Sequence, residues 1–398
     1  MNTMISSLYP QKSSTSSISN LENLAESLSL DKNLLEYSQK LTQEERYKKI
    51  KIPKSNNSYR TVHDPIDIIR KIQNRINTRI FTQLVDWPDY LFGSIPNDII
   101  DSRDYISCAR KHCLAKSIFK LDISNFYDNI HRDFVYDIFN NFFKFPTEVS
   151  DFLTDICCYD DYLPQGALTS SYIATLCFWN VEGDLVKRFQ RKNLVYTRLV
   201  DDITVSSKKH DYDFEYVEKH IKNMLLHFDF PVNNSKTKIM RDGLEPLNVH
   251  GLRVNYPEPR LPSAEVNKIR AAVHNVVKMS KINNYRTSKS YRNLYDRALG
   301  RVNKLARVGH NKHSELINKL KKVTPLPSKR DLNYIKNNIR TLKNLNELDC
   351  KKLRQLKYKR KYHLINYRIS ILNRTFPNKA STLRNELKLL KDKILDKQ

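Results

Sequence analysis

The chain has 398 residues, with 69 Lys and Arg against 43 Asp and Glu, so its formal net charge is +26. The length suggests two or three domains, and a hydrophobic fraction of 40% indicates a globular chain rather than a disordered one. The basic charge favours a polyanionic partner, most often nucleic acid, over acidic substrates or membrane surfaces. No run of about 18 apolar residues predicts a transmembrane helix, and the first residues lack the features of a secretion signal. We therefore expect a cytoplasmic protein.

Cysteine and glycine usage excludes several kinds of site. The 6 cysteines include no C-x-x-C pair and no zinc-ligand spacing, which predicts reduced thiols. Only 7 glycines occur, and neither a P-loop nor a dinucleotide-binding glycine pattern is present.

The N-terminal part combines an undefined leader with a hairpin and a helix. Residues 1–34 are predicted as an N-terminal arm, either a short amphipathic segment or a flexible leader. The segment 49–63 alternates around a polar turn, which predicts a hairpin with basic residues near its tip. Isoleucines at helical spacing predict a helix from Pro65 to about Leu84.

Strand and helix patterns alternate between residues 116 and 262. In order, we predict a strand over Ser117–Ile123, helices over Phe134–Phe143 and Ser170–Phe189, two strands within Leu194–Ser206, a helix over Tyr216–Phe228 and a strand or hairpin over Leu247–Val254. Helices packed on a small sheet indicate an α+β fold.

The character changes after Pro262, where helical patterns replace strands. Residues 329–398 contain 20 Lys and Arg and 6 Asp and Glu, an excess of +14 that is just over half of the total. Three apolar stripes predict helices there: Leu332, Ile335, Ile339 and Leu342; Tyr358, Tyr362, Ile365, Ile369 and Leu372; and Leu383, Leu387, Leu390 and Ile394.

Acidic residues at two strand ends suggest a metal site. Asp201 and Asp202 lie between two β-prone runs, and Asp122 ends an apolar strand. Asp201-Asp202 alone would be an ordinary acidic turn. If the two strands lie side by side, however, the three carboxylates form a cage for Mg²⁺ or Mn²⁺, because repelling carboxylates need a cation. Two such ions suit in-line phosphoryl transfer.

The order of several motifs carries a family resemblance. FKLDISNFYDNI, LPQGALTSS, YTRLVDDITVS, VNNSKTKIM and VHGLRVN occur in this order, and IPKSNNSYRTVHDP precedes them. They resemble the palm motifs and the fingertip hairpin of reverse transcriptases, most closely the bacterial retron, group II intron and defence-associated enzymes. The match covers about residues 45–325. The resemblance implies a right-hand polymerase, in which an α+β fingers and palm domain is followed by a helical thumb.

The resemblance also implies residue roles. Asp122 and Asp201 correspond to the principal metal ligands, with Asp202 beside them and the backbone carbonyl of Ile123 completing a site for two Mg²⁺ ions. Nucleotide contacts are implied for Lys54, Arg60, Tyr127, Gln165, Gly166 and Lys236, and a primer grip for His250, Gly251 and Leu252. Tyr127 would exclude a ribose 2′-hydroxyl. The alternatives are a core aromatic for Tyr127 and solvated surface charges for Lys54 and Lys236.

Three positions depart from the family pattern. Leu199 replaces the Tyr of Y-x-D-D. Cys108 replaces the Asn of the retron N-A-x-x-H signature, which ends at His112, and His250 replaces the Thr of V-T-G. The change at Leu199 leaves both metal ligands in place, so we expect an active site. The departures at Cys108 and His250 favour a defence-associated relative over a strict retron enzyme. A structural histidine is the alternative for His112.

We thus predict four segments: the arm 1–34, fingers and palm 35–262, a thumb 263–327 and a basic helical extension 328–398. The thumb, with Gly300, Arg301 and Lys304, would grip a duplex. The extension would bind structured RNA through cations and tyrosines. The alternative is a solvated helical face of cations, with the tyrosines in its core.

The predicted activity is RNA-directed DNA synthesis. We expect dNTP substrates, a dedicated non-coding RNA template, a DNA product, a bacterial cytoplasmic location and a role in antiphage defence, with a second protein of the same system as a further partner and no membrane. Alternatives are template-independent or protein-primed DNA synthesis by the same site, and a non-catalytic RNA-binding scaffold. An intron-type maturase is disfavoured, because no nuclease or zinc signature follows the thumb.

Overall fold

The computed structural model describes residues 7–53, 58–97, 102–347 and 355–390. The chain divides into two compact units, with the boundary between Arg260 and Leu261. The first unit combines helices with short strands, whereas the described part of the second unit is helical. The finer division into arm, palm, thumb and extension stays a prediction.

Within the described residues, the strands of the first unit are short and form one main sheet with three small ladders. They are β1 (Gln11–Lys12), β2 (Tyr47–Pro53), β3 (Tyr59–Pro65), β4 (Val85–Asp86), β5 (Leu91–Phe92), β6 (Ser117–Asp122), β7 (Val195–Leu199), β8 (Asp202–Ser207), β9 (Lys238–Arg241), β10 (Asn248–Val249) and β11 (Leu252–Arg253). The main sheet has the order β5-β7-β8-β6-β9, and only β5 and β7 run parallel. β1 pairs with β4, β2 with β3, and β10 with β11.

Helices of the first unit pack around this sheet. They are α1 (Leu21–Ser27), α2 (Lys32–Lys40), α3 (Gln43–Arg46), α4 (Asp67–Ile76), α5 (Tyr105–Lys111), α6 (Arg132–Asp137), α7 (Thr147–Cys157), α8 (Ser170–Leu176), α9 (Glu182–Gln190) and α10 (Glu215–His227). Wider π turns extend α4 over Asn77–Phe81 and α6 over Ile138–Phe142. The α+β fold class expected from the sequence is confirmed.

The two faces of the sheet have different surroundings. Because side chains alternate along a strand, Phe119 and Leu121 of β6 share one face with their partners Val205 and Ile203 of β8. These four side chains are fully buried in the main hydrophobic core. The opposite face carries Lys120, whose Nζ lies 3.4 Å from Asp202 Oδ2.

The N-terminal segment is folded from residue 7 onward and belongs to the first unit. Leu24 and Leu28 are fully buried in the core, and Lys12 donates to the backbone carbonyl of Phe143 at 2.7 Å. The flexible-leader alternative therefore does not apply to this part of the chain.

The prediction of one long helix over Ser170–Phe189 is wrong, because this segment forms two helices, α8 and α9. The break coincides with a close approach of the N-terminal segment. A Cβ atom on Gly183 would lie 2.6 Å from the carbonyl oxygen of Leu8. Glu182, at the start of α9, is buried and pairs with Arg198.

The described part of the second unit consists of helices with two hydrophobic cores. They are α11 (Ser263–Ser280), α12 (Lys289–Arg307), α13 (Lys312–Lys322), α14 (Lys329–Glu347), α15 (Gln355–Leu372) and α16 (Pro377–Lys388). The three predicted stripes pack together in the second of these cores, apart from Ile394, which lies outside the described residues. Buried Asp331 on α14 pairs with Arg292 of α12 and Arg368 of α15, which ties the two cores together. Within the described ranges, no helix is long and apolar enough to cross a membrane.

Candidate active site

Two neighbouring strands bring the acidic motifs together. β6 ends at Asp122, β8 begins at Asp202, and the two residues are direct partners in the antiparallel ladder. The backbone N–H of Ile123 donates to the carbonyl of Asp201 at 3.1 Å, which continues the pairing past the strand ends. The side-by-side arrangement expected from the sequence is therefore present.

The turn between β7 and β8 has an unusual backbone conformation. Val200 and Asp201 form a two-residue loop, since Leu199 pairs with Asp202, and Val200 has φ +59°. A β-branched residue rarely adopts positive φ, and such a conformation costs about 1–3 kcal/mol. Gly93 provides the space beside it, because a Cβ atom at Gly93 would lie 2.9 Å from Val200 Cγ2. Surrounding contacts must therefore hold this turn.

A buried ion pair supplies part of this support. Arg198 is fully buried, and its Nε donates to Glu182 Oε1 at 2.6 Å. Its guanidinium also donates to the carbonyl of Val200 at 3.1 Å and to that of Thr175 in α8 at 2.8 Å. The sequence interpretation missed Arg198; its signal was a charged residue inside an otherwise apolar strand.

A large cavity lies beside the turn. Its volume is about 1270 Å³, and its walls include the predicted site residues Arg60, Asp122, Ile123, Tyr127, Gln165, Asp201 and Lys236, together with Asn233. Lys54 lies outside the described residues. The β2–β3 hairpin, the end of β6, the β7–β8 turn and the loop before α8 thus contribute to one site.

Asp122 is the most strongly hydrogen-bonded acid in the cavity. Its Oδ2 accepts from Lys236 Nζ at 2.8 Å and from Asn233 Nδ2 at 3.1 Å. The hydrogen bond to Asp122 is the main cause of a raised pKa for Lys236. The ammonium group therefore stays charged and offsets part of the negative charge of the site.

The negative charge of Asp201 is compensated less than that of Asp122. Burial, followed by the nearby negative charges of Asp122 and Asp202, raises its pKa above the ordinary value, although a backbone hydrogen bond and Lys236 oppose this shift. A carboxylate in this position gains from an added cation, which would remove the repulsion.

Asp202 has different partners and is absent from the cavity wall. Its Oδ2 lies 3.4 Å from Lys120 Nζ and 3.3 Å from His250 Nδ1. Burial raises its pKa, but the hydrogen bonds and charges of His250 and Lys120 outweigh burial and leave the pKa below its ordinary value. In the described part of the chain, no three His, Cys, Asp or Glu side chains form a metal-binding group. Asp202 thus does not line the cavity with Asp122 and Asp201, and its place in the expected three-carboxylate cage stays a prediction.

The remaining oxygen donors suit a hard divalent cation. Asp122 and Asp201 face the same cavity, and Ile123 lines it beside them. Carboxylate and carbonyl oxygens are the ligands preferred by Mg²⁺ and Mn²⁺. Burial and, after it, the charges of Asp122 and Asp202 raise the pKa of Asp201, so an added cation would favour its ionised form. The residues present therefore fit such an ion.

Tyr127 forms part of the cavity wall and is largely buried. Its hydroxyl lies 3.4 Å from Ser171 Oγ near the start of α8, and its ring packs against that of Phe126. Burial raises the pKa of the Tyr127 hydroxyl. The ring is thus both a packed aromatic and a wall of the cavity, so the two alternatives for this residue are compatible.

The Gln165-Gly166 loop contacts the β2–β3 hairpin. His63 of β3 donates its N–H to the carbonyl of Gln165 at 2.7 Å. Gly166 has φ +108°, and a Cβ atom there would lie 2.4 Å from Val62 Cγ1. The β3 strand therefore occupies the space that a side chain at position 166 would need. The nucleotide contact implied for Gly166 stays a prediction. Gln165 itself lines the cavity.

The hairpin of the predicted primer grip has a tight turn. His250 and Gly251 connect β10 to β11, and both have positive φ, at +48° and +80°. A side chain added at Gly251 would meet open space. His250 is turned inward toward Asp202, whereas Leu252 is buried. The three residues therefore belong to a hairpin, as expected, and Gly251 is the one that is exposed to solvent.

His112 is a satisfied, buried histidine. Its Nδ1 lies 2.7 Å from Ser206 Oγ and its Nε2 lies 2.7 Å from Thr197 Oγ1. Burial lowers its pKa to about 3, so the ring is neutral at physiological pH. These contacts agree with the alternative that His112 is a structural histidine.

Comparison with known proteins identifies the family. The family model described as reverse transcriptase (RNA-dependent DNA polymerase) matches residues 52–291. The retron Ec48 reverse transcriptase of Escherichia coli is 48% identical over 391 residues, which cover 96% of this chain and 95% of that protein. The retron Se72 reverse transcriptase of Salmonella heidelberg (strain 579083-10) is 34% identical over 315 residues, or 78% of this chain and 80% of that protein.

The three motif departures do not separate the chain from the retron enzymes. Cys108 and His250 favour a defence-associated relative in the sequence, but the similarity to two retron enzymes extends over most of both chains. Together with the α+β architecture and the acidic cavity, these similarities show that the chain belongs to the reverse transcriptase family, as an RNA-directed DNA polymerase of the bacterial retron type.

Proposed function

We propose that the cavity beside the Val200-Asp201 turn carries out two-metal nucleotidyl transfer. The observation on which this proposal rests is that Asp122 and Asp201 line one cavity, where Asp201 has a raised pKa. Asp122, Asp201 and the carbonyl of Ile123 would hold the ions. Two Mg²⁺ ions in such a site supply Lewis-acid activation of a primer hydroxyl and neutralise charge on the leaving pyrophosphate. For Asp202 to join them, its carboxylate would have to leave Lys120 and His250.

The other cavity residues bind and orient the nucleotide in this proposal. Arg60 holds the triphosphate, because a guanidinium can grip phosphate oxygens through two parallel hydrogen bonds. Tyr127 excludes a 2′-hydroxyl and thereby selects dNTPs. Gln165 contacts the incoming nucleotide, and Lys236 donates to the leaving pyrophosphate. Lys54 is a proposed fingertip cation, and Gly251 with Leu252 positions the primer end.

The proposed template is a non-coding RNA, copied into DNA as part of antiphage defence. The names of the two relatives associate those proteins with retrons. The net charge of +26 supports binding of a nucleic-acid backbone. The helices of residues 263–327 would hold the duplex, and those of 328–398 would bind structured RNA. A second protein of the same system is a further proposed partner.

Substitution of Asp201 tests the proposal. We expect Asp201→Asn to abolish incorporation of labelled dNTPs on a primed RNA template, while Asp211→Asn, a change at an exposed surface carboxylate, retains activity. Undiminished synthesis by Asp201→Asn would refute the site assignment.

Product sequencing separates copying from the alternatives. A product complementary to the RNA that copurifies with the protein supports templated synthesis. Random or homopolymeric tails would instead indicate terminal transfer. Absence of any product from RNA-loaded protein, with Mg²⁺ or Mn²⁺, would favour a non-catalytic RNA-binding scaffold.

A further inference from the structure

The tip of the β10–β11 hairpin points a histidine into the protein. His250 has a left-handed backbone conformation with φ +48°, yet its side chain is only 7% exposed. Histidine tolerates this conformation better than most residues with a Cβ atom. The backbone conformation and the burial together direct the imidazole toward the strands that carry the catalytic acids.

Both nitrogens of the His250 ring have partners. Nδ1 lies 3.3 Å from Asp202 Oδ2, and Nε2 lies 3.2 Å from Cys108 Sγ. An ionised carboxylate can only accept, so Nδ1 carries the donated proton. The imidazole thus bridges the first residue of β8 and a residue of α5.

Cys108 is the partner of the His250 ring on its Nε2 side. It is fully buried, and its Sγ also lies 3.3 Å from Thr197 Oγ1 in β7. Thr197 in turn contacts His112 Nε2 at 2.7 Å. The hairpin tip, α5, β7 and β8 are therefore joined by one polar network, to which the hairpin contributes His250.

Two of the departures from the family motifs meet in this contact. Cys108 and His250 are 142 residues apart in the chain, and each replaces a different residue of the retron pattern. Their direct contact suggests that the two positions function as a pair.

We propose that His250, held by Cys108, is a positioning residue that fixes the Asp202 carboxylate and fastens the hairpin to the catalytic strands. This inference rests on the proposed function, because it assigns the hairpin to the primer end and the strand ends to catalysis. The pair keeps the primer terminus and the catalytic turn in a constant relative position. Neither residue touches the substrate.

A kinetic comparison of His250 variants tests the role. We expect His250→Ala to lower kcat for dNTP addition by about 10- to 100-fold, since a displacement near 1 Å at a reacting centre has effects of this size. The KM for dNTP should change by less than about 2-fold, because binding contacts remain. His250→Asn should recover part of kcat, since Asn also tolerates positive φ and its amide can donate to Asp202. His227→Ala, on the exposed side of α10, is the matched control.

A double-substitution cycle tests the pairing. Cys108→Ala should lower kcat in the wild-type background but have little further effect in the His250→Ala background, because coupled residues are not additive. Additive effects would overturn the pairing, and wild-type kcat for His250→Ala would overturn the positioning role. Urea unfolding of each variant shows whether a loss of kcat comes from a folding defect. Recovery of kcat by His250→Asn, at a stability equal to that of His250→Ala, supports the positioning role. If Asp201→Asn stays active, the proposed function fails; if it is inactive while His250→Ala is fully active, only this inference fails.

Discussion

Lys236 and Asp122 form an ion pair with 2.8 Å between Nζ and Oδ2, and Lys236 remains largely accessible from solvent. The lysine thus lies where it can compensate the acidic site and also reach a phosphate that enters the cavity. This position gives a direct prediction for its removal.

Lys236→Leu is expected to slow nucleotide addition. If the ammonium protonates the leaving pyrophosphate, its loss should lower the single-turnover rate by about 100-fold or more, the usual contribution of a general acid. The measurement is rapid-quench incorporation of one dNTP at saturating concentration. Lys238→Leu provides the control, since Lys238 is exposed on β9 two residues away. Equal rates for the two variants would exclude the proposed role.

Tyr127→Ala is expected to weaken discrimination against ribonucleotides. Removing the ring opens the cavity wall, so the ratio of kcat/KM for dATP to that for ATP should fall by about 10- to 100-fold. Tyr37→Ala, a substitution at an exposed tyrosine outside the cavity, should leave the ratio unchanged. An unchanged ratio for Tyr127→Ala would show that another group selects the sugar.

Arg198→Met should destabilise the protein because it leaves Glu182 buried without its partner. Breaking a buried pair by removing one member costs about 3–5 kcal/mol in the free energy of unfolding. Adding Glu182→Leu should restore much of that free energy, since no unpaired charge then remains. Urea unfolding measures both variants.

The Arg198→Met, Glu182→Leu double variant should remain slow in dNTP incorporation even where its stability is restored. The carbonyl of Val200 would still lack its guanidinium donor, so the strained turn would lose support. Full activity of the double variant would contradict the positioning of the turn by Arg198.

The stability of the first unit should depend on the protonation of His112. Burial lowers the pKa of this residue from 6.5 to about 3. Below pH 6.5 the unfolded chain binds a proton that the folded chain does not, so stability falls as the pH decreases from 6.5 toward 3. At pH 5 the loss is about 2 kcal/mol relative to neutral pH.

Urea unfolding at pH 7.5, 6 and 5 measures this dependence. His112→Gln should be less stable at pH 7.5 but should show a smaller pH dependence, since it has no proton to bind. His227→Gln should retain the wild-type dependence. Identical pH dependence in wild type and His112→Gln would exclude His112 as its source.

Local patterns in the sequence were sufficient for most of the architecture. Alternation and helical spacing predicted the strands around Asp122 and Asp201 and the three C-terminal stripes, because these patterns depend on neighbours within a few residues. The same patterns did not predict the break between α8 and α9. That break accompanies an approach of Leu8, which is distant in sequence from Gly183.

The sequence by itself determined the family, the acidic strand ends and the helical character after Pro262, since each depends on the order and local spacing of residues. Only the tertiary structure decided that Asp202 pairs with Lys120 and His250 instead of joining Asp122 in the cavity. It also decided that β3 fills the space beside Gly166. These outcomes depend on the directions of side chains from distant segments, and no local pattern encodes such directions.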